Sequence, residues 1–227
     1  MNEAAVSFAK IMCEEAKGNE EFARNHPQAS EALKLSVNLW NYAFDVETRI
    51  KHLMTIPLTL LHVIQPQIYG LIYNFLLGNL PACYMSMRII LEGTLDAVVA
   101  HARFYDHPFP EDLNRLRLFE QKKSLSFVDK CELFLPAQIE KETIEEIKEL
   151  WHYLSKYWVH AKGIVRKISE QTIQKNTGKA PPMWALALPY TYDEDDVDDI
   201  NEYVTKLCKL KKVVEELLEP FSKAESN

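Results

Sequence analysis

Apolar and polar residues alternate with a helical period along almost the whole chain. Residues 3 to 17 form a short amphipathic stretch that "GNEE" closes at Gly18. From Pro27, a residue suited to a first helical turn, Ala32, Leu35, Leu39, Tyr42 or Ala43, Val46 and Ile50 recur at helical spacing until Pro57 breaks or kinks the run. A second pair of helices is predicted from about Pro66 to Leu77 and from Pro81 to about Phe104. "LLGNLP" is the turn between them, with Gly78 as C-cap and Pro81 in the next first turn. "DHPFPED" is a loop, helical spacing returns across "EDLNRLRLFEQKKSLSFVDKCELFL", and "LPAQIEKE" is a break.

Thr143 and Glu146 in "TIEE" have the spacing of a capping box. Beyond them Ile147, Leu150, Trp151, Leu154, Trp158, Ala161, Val165 and Ile168 trace one apolar stripe. Residues 171–192 are the least helical part and predict an irregular loop or small hairpin. A last helix, about 194–219, leaves the acidic run "DEDDVDD", buries Ile200, Tyr203, Leu207, Leu210, Val214 and Leu217, and ends at Pro220. The expectation is an all-α fold. It is one domain over residues 1–227, a helical bundle of about seven helices, with the irregular segment before the last.

Composition agrees. Only six glycines occur in 227 residues, 47% of which are hydrophobic, so a sizeable core is available without disulfide or metal. The net charge of -7 argues against unspecific binding along a phosphate backbone. Cys13, Cys83, Cys131 and Cys208 are far apart and sit beside apolar residues, which predicts buried, reduced thiols and a cytoplasmic location. "MNEAAVSFAK" is acidic and amphipathic, unlike a secretory leader. No Asp, Glu, Lys or Arg occurs between Leu53 and Met87, but prolines, asparagines and Gly78 interrupt that run, so buried helices and not a membrane span are expected.

Few motifs carry chemistry. The acidic run lacks the alternation and the glycine of a calcium loop. Gly178-Lys179 has no upstream glycine at phosphate-loop spacing. Glu149 and His152 form a single Glu-x-x-His where a di-metal bundle needs two. No metal or cofactor is therefore expected. More informative is the helix "YMSMRIILEGTLDAVVAHARF", where Arg88, Glu92 and Asp96 fall four apart among apolar neighbours. Charged side chains so framed need partners. The aromatic and polar stretch "HYLSKYWVHAKG" is the candidate partner. Ser155 and His160 would join Arg88 and Glu92 in one cluster, with Tyr153, Lys156 and Tyr157 as its binding edge.

"MRIILEGTLDAV" followed by "YLSKYWVH" resembles the pattern of HEPN-type helical proteins, an Arg-x(3)-Glu in one bundle helix and a Tyr-x-Leu-Ser…His in a later one. The resemblance spans roughly Tyr69 to Ile168, a core of about 66–170. It implies a helical bundle, a homodimer, and a role in RNA cleavage, nucleotide chemistry, or stress and defence. Active ribonucleases of that kind carry Arg-x(4–6)-His on one helix. Here the positions that would hold the arginine are Tyr153, Leu154 and Ser155. The expectation is thus an RNA-associated or protein-interaction module with degenerate catalytic residues. One alternative is an active metal-independent ribonuclease, with His160 as acid or base and Arg88 or Lys156 holding phosphate charge. Another is a small-molecule sensor with a pocket among Trp151, Tyr157, Trp158 and Trp184.

Overall fold

The computed structural model describes residues 3–50, 55–104, 111–135, 139–156 and 191–222, and these are helical with short connections. The helices are α1 (Glu3–Asn25), α2 (Pro27–Arg49), α3 (Thr55–Thr59), α4 (Gln65–Leu76), α5 (Leu80–Phe104), α6 (Glu111–Lys123), α7 (Phe127–Phe134), α8 (Lys141–Leu154) and α9 (Val197–Ser222). A π turn, Leu60–Ile64, joins α3 to α4. The fold is all-α, as the periodicity predicts.

The predicted stripes point inward. In α2, Ala32, Leu35, Leu39, Ala43 and Val46 are buried, and in α9 so are Ile200, Tyr203, Leu207, Leu210, Val214 and Leu217. These two faces meet: α9 lies against α2 on one side and α5 on another, with α8 beside it. Tyr42 Oη donates to the Glu215 carbonyl at 3.1 Å and pins α2 to α9. α4 pairs with α5 and α2, α1 covers α2 and α4, and α6 and α7 pack on α5. α5 sits at the middle of this arrangement, with Cys83, Tyr84, Met87, Ile90, Leu91, Leu95 and Val98 buried.

The turn between α4 and α5 forms as its sequence demands. Gly78 takes φ 70°, a left-handed value that suits glycine. The Asn79 N–H reaches back to the Asn74 carbonyl at 2.8 Å, and Asn79 Oδ1 accepts from Ala82 N at 3.1 Å to cap α5.

Several boundaries differ from expectation, each for a local reason. Gly18 does not end α1; the helix runs on to Asn25. A Cβ at Gly18 would lie 2.9 Å from Thr191 Cγ2, so this glycine serves a close approach and not a cap. One residue on, buried Asn19 donates to the Leu76 carbonyl at 2.9 Å and accepts from Tyr192 N at 2.7 Å. It thereby ties α1 to the end of α4 and to the approach to α9. The Thr143–Glu146 capping box is absent. α8 begins at Lys141 with Glu140 as N-cap, Thr143 Oγ1 donates to Glu216 Oε2 at 2.5 Å, and Glu146 binds Lys212. Two capping boxes form instead at Ser126/Asp129, where a break after Lys123 splits the expected single helix into α6 and α7, and at Asp193/Asp196 before α9. The helical run before α5 starts at Thr55 and not near Pro66. Pro66 has no N–H to donate, and the N–H of Gln65 just before it bonds the Leu60 carbonyl, widening the helix into the π turn that accommodates the proline ring. Pro220 lies inside the last turn of α9, two residues short of its end. Of the cysteines, Cys83 and Cys131 are buried, whereas Cys13 and Cys208 sit on the outward arcs of α1 and α9 and are exposed; all four are free. Burial pushes the Cys131 thiol up to about 12. Within the expected irregular segment only Thr191 and Tyr192 are described. Tyr192 is buried against Phe22 and Phe75, at 6.0 and 5.1 Å between ring centroids.

His26 adds a second tie near the same place. Its ring stacks on Phe22, Nδ1 lies 2.9 Å from the Phe22 carbonyl, and Nε2 lies 2.8 Å from Glu194 Oε1. Both partners are acceptors, and a neutral imidazole has only one N–H, so both bonds form only with the imidazolium. The Glu194 carboxylate, and then the Phe22 carbonyl, raise its pKa above the ordinary 6.5.

Two tests follow from the packing. Leu154 is fully buried, so Leu154→Ala should destabilise the fold by about 2–5 kcal/mol, read from the midpoint of chemical denaturation. A raised histidine pKa contributes stability that is complete below the unfolded value and lost as pH rises through the folded one. The wild type should therefore melt above His26→Gln in mildly acid buffer and lose that margin in mildly alkaline buffer; a margin independent of pH would refute the imidazolium.

Candidate functional site

The site begins with α5, because its four-residue spacing puts Tyr84, Arg88, Glu92 and Asp96 along one edge. α8 crosses that edge in the opposite direction: Trp151 meets Glu92 and Arg88, while Tyr153, further along α8, meets Tyr84 at 6.0 Å between ring centroids. Arg88 Nε donates to Glu92 Oε1 at 2.8 Å, and Trp151 Nε1 donates to the same oxygen at 2.7 Å. The Arg88 guanidinium carbon also stands 5.5 Å from the centroid of the Trp151 ring, which is itself stacked on Phe127 at 5.0 Å. Glu92 is thus the shared acceptor of a cation and an indole, and the indole face is a second partner of the cation. Arg88 is largely enclosed, its side chain 19% exposed, and its Nη1 is buried with no hydrogen-bond partner.

One turn along α5, Asp96 forms a second ionic centre. Lys130 of α7, its side chain 10% exposed, bridges Asp96 and Glu120 of α6, the latter at 2.8 Å. Burial pushes the Asp96 carboxyl up despite the ammonium beside it. Burial alone would lower Lys130, but the Asp96 and Glu120 carboxylates hold it above its ordinary value. This triad joins α5, α6 and α7. Nothing in the local sequence distinguishes Lys130 from the exposed lysines of α6.

The predicted residues therefore divide. Arg88 and Glu92 are paired, and their partner from α8 is Trp151. Tyr153 turns to α9: its Oη donates to Glu202 Oε1 at 2.7 Å, and the Lys206 ammonium lies 4.2 Å from its ring centroid. Ser155 Oγ is buried and has no hydrogen-bond partner, and Lys156 is exposed. Tyr157 and His160 lie outside the described residues, as do Trp158 and Trp184 of the sensor reading. Trp151 was legible as a member of the apolar stripe and of the sensor reading, not as the partner of Arg88 and Glu92; its indole N–H, which a buried tryptophan has to satisfy, is the signal that marks it.

The surface around α8 is ion-paired. Lys148 binds Glu132 and Glu145 at 3.1 and 2.7 Å, and Lys212 binds Glu146 at 2.9 Å. A shallow hollow between α8 and α9 is lined by Lys141, Glu142, Glu145, Glu146, Glu149 and Lys209, where carboxylates outnumber amines. Among the described residues no group of three or more His, Cys, Asp or Glu side chains is placed to hold a metal, and no helix is long and apolar enough to cross a membrane.

Comparison with family models, curated proteins and solved structures finds no match to the chain.

The Arg88–Glu92–Trp151 junction is expected to act as a packing clamp. Glu92→Ala should cost about 1–3 kcal/mol, because it strands an enclosed guanidinium and an indole N–H together. Trp151→Phe removes the indole N–H but keeps a smaller ring beside the guanidinium, and should cost less. A double-mutant cycle on the two should give a coupling of about 0.5–3 kcal/mol, and additive losses would show that the contact contributes nothing.

Proposed function

We propose that the chain is a cytosolic, non-catalytic interaction module of the HEPN-like helical kind, acting as a homodimer. The observation that supports this most is the engagement of Arg88. A cation that stabilises a transferring phosphate has to be open to it, whereas Arg88 is held by Glu92, faced by Trp151 and mostly enclosed. The ion-paired lysines of α8 and α9 and the acidic hollow between those helices support the same reading, since phosphate binding relies on cations released from such partners. The four free thiols agree with a reducing compartment.

The test is incubation of the full chain with labelled single-stranded RNA, alongside Arg88→Ala and His160→Ala. The wild type is expected to leave the RNA intact, and Arg88→Ala is expected to lower the melting temperature. Cleavage by the wild type that either variant abolishes would overturn the proposal in favour of a metal-independent ribonuclease.

A further inference from the structure

The outer surface of α4 and α5 is apolar where a solvated surface would be polar. Tyr69 is 61% exposed, Tyr73 49%, Met85 43% and Ile89 40%, and Leu61 and Val63 of the π turn are 44% and 38% exposed. The widened turn puts three consecutive residues, Leu61, His62 and Val63, on the surface. These positions lie together. A Cβ at Gly93 would stand 3.4 Å from Val63 Cγ1, and one at Gly70 would stand 3.3 Å from Ser86 Oγ. Those contacts fix the register of the hairpin, so Tyr69 and Tyr73 flank Gly70 on one helix while Met85 and Ile89 run beside Ser86 on the other. Trp40 of α2 meets Tyr69 edge-on at 6.3 Å and extends the layer toward Val37 and Phe44, themselves 45% and 53% exposed.

The geometry points to this face as the seam between two copies of the chain, a deepening that rests on the homodimeric reading above. Charge selects the occupant. The chain carries -7, yet no Asp, Glu, Lys or Arg lies between Leu53 and Met87, and the next charges on α5, Arg88 and Glu92, neutralise each other. A face without charge repels neither itself nor a copy of itself, and a two-fold contact requires one self-complementary patch. A membrane is a poorer occupant: peripheral helices that lie on anionic lipid carry lysine and arginine at the rim, and this face has none on the π turn or α4. Area agrees. The six exposed side chains of the π turn, α4 and α5 present roughly 600 Å2, at the top of the range for the largest apolar patch on a monomer. With the α2 residues and a polar rim the face approaches the roughly 800 Å2 per partner of a standard interface.

The test is the solution mass of the full chain by light scattering, with Tyr73→Glu/Ile89→Glu as the disrupting variant. Leu133→Glu, at a residue 61% exposed on α7 away from the face, is the control. Tyr73→Ser/Ile89→Ser, melted beside the wild type, guards against loss of folding. The expected result is about 53 kDa, twice 26.3 kDa, for the wild type and the control, and the monomer mass for both double variants with unchanged helical content. A monomeric wild type at tens of micromolar would overturn both the dimer and its seam. A dimer that both double variants preserve would overturn the seam alone. Sedimentation of the wild type, but not of the double variant, with neutral phosphatidylcholine vesicles would make the occupant a membrane and overturn the proposal likewise.

Discussion

Everything in this fold depends on burying α5. Its middle is apolar on nearly every side, and water cannot cover it, so α3, α4, α6, α7, α8 and α9 are arranged around it. Arg88, Glu92 and Asp96 stand four residues apart on one edge of α5, and each is met from another helix: Arg88 by the Trp151 ring, Glu92 by the Trp151 indole N–H, Asp96 by Lys130. The polar contacts therefore follow from the hydrophobic one. They settle which helix lies on which edge of α5, because an unmatched charge there would be costly.

This order of causes explains what could be read in advance. The inward stripes of α2 and α9, and that of α8 as far as Leu154, were legible residue by residue, since a helix face needs only its own sequence to be recognised; Trp158, Ala161, Val165 and Ile168 of the α8 stripe lie outside the described residues. The Gly78–Pro81 turn was legible for the same reason. Gly18 was misread because a glycine that ends a helix and one that admits a neighbouring strand of chain look alike until Thr191 is placed beside it. Thr143 and Glu146 were misread because both side chains found partners on α9, Glu216 and Lys212, that compete with capping.

The candidate site was half legible. The spacing of Arg88 and Glu92 predicted a pair needing a partner from a later helix, and α8 supplies it. That the partner is Trp151 depends on which residue of α8 crosses α5 at that height, a property of the crossing and not of either helix. Tyr153, two residues on, turns away from that pair and reaches Tyr84 further back on α5 and Glu202 of α9, because a two-residue step turns a side chain to the opposite flank of a helix. Lys130 was illegible for a stronger reason: its two carboxylates lie on two other helices.

The π turn records something about the length of the chain. A five-residue hydrogen-bonded turn inside a helix is one residue longer than the turn it replaces. If one of Leu61, His62 or Val63 were deleted, the turn could close to regular spacing with Leu60 and Gln65 still stacked, and Ile56 and Leu60, both fully buried, would keep their place in the core. A deletion elsewhere between Thr55 and Leu76 has no such slack and would rotate one half of the helix about its own axis by about 100° relative to the other. The surplus residue is thus absorbed where it bulges outward, and the wide turn is the one place in this segment where a change of length leaves the buried face in phase.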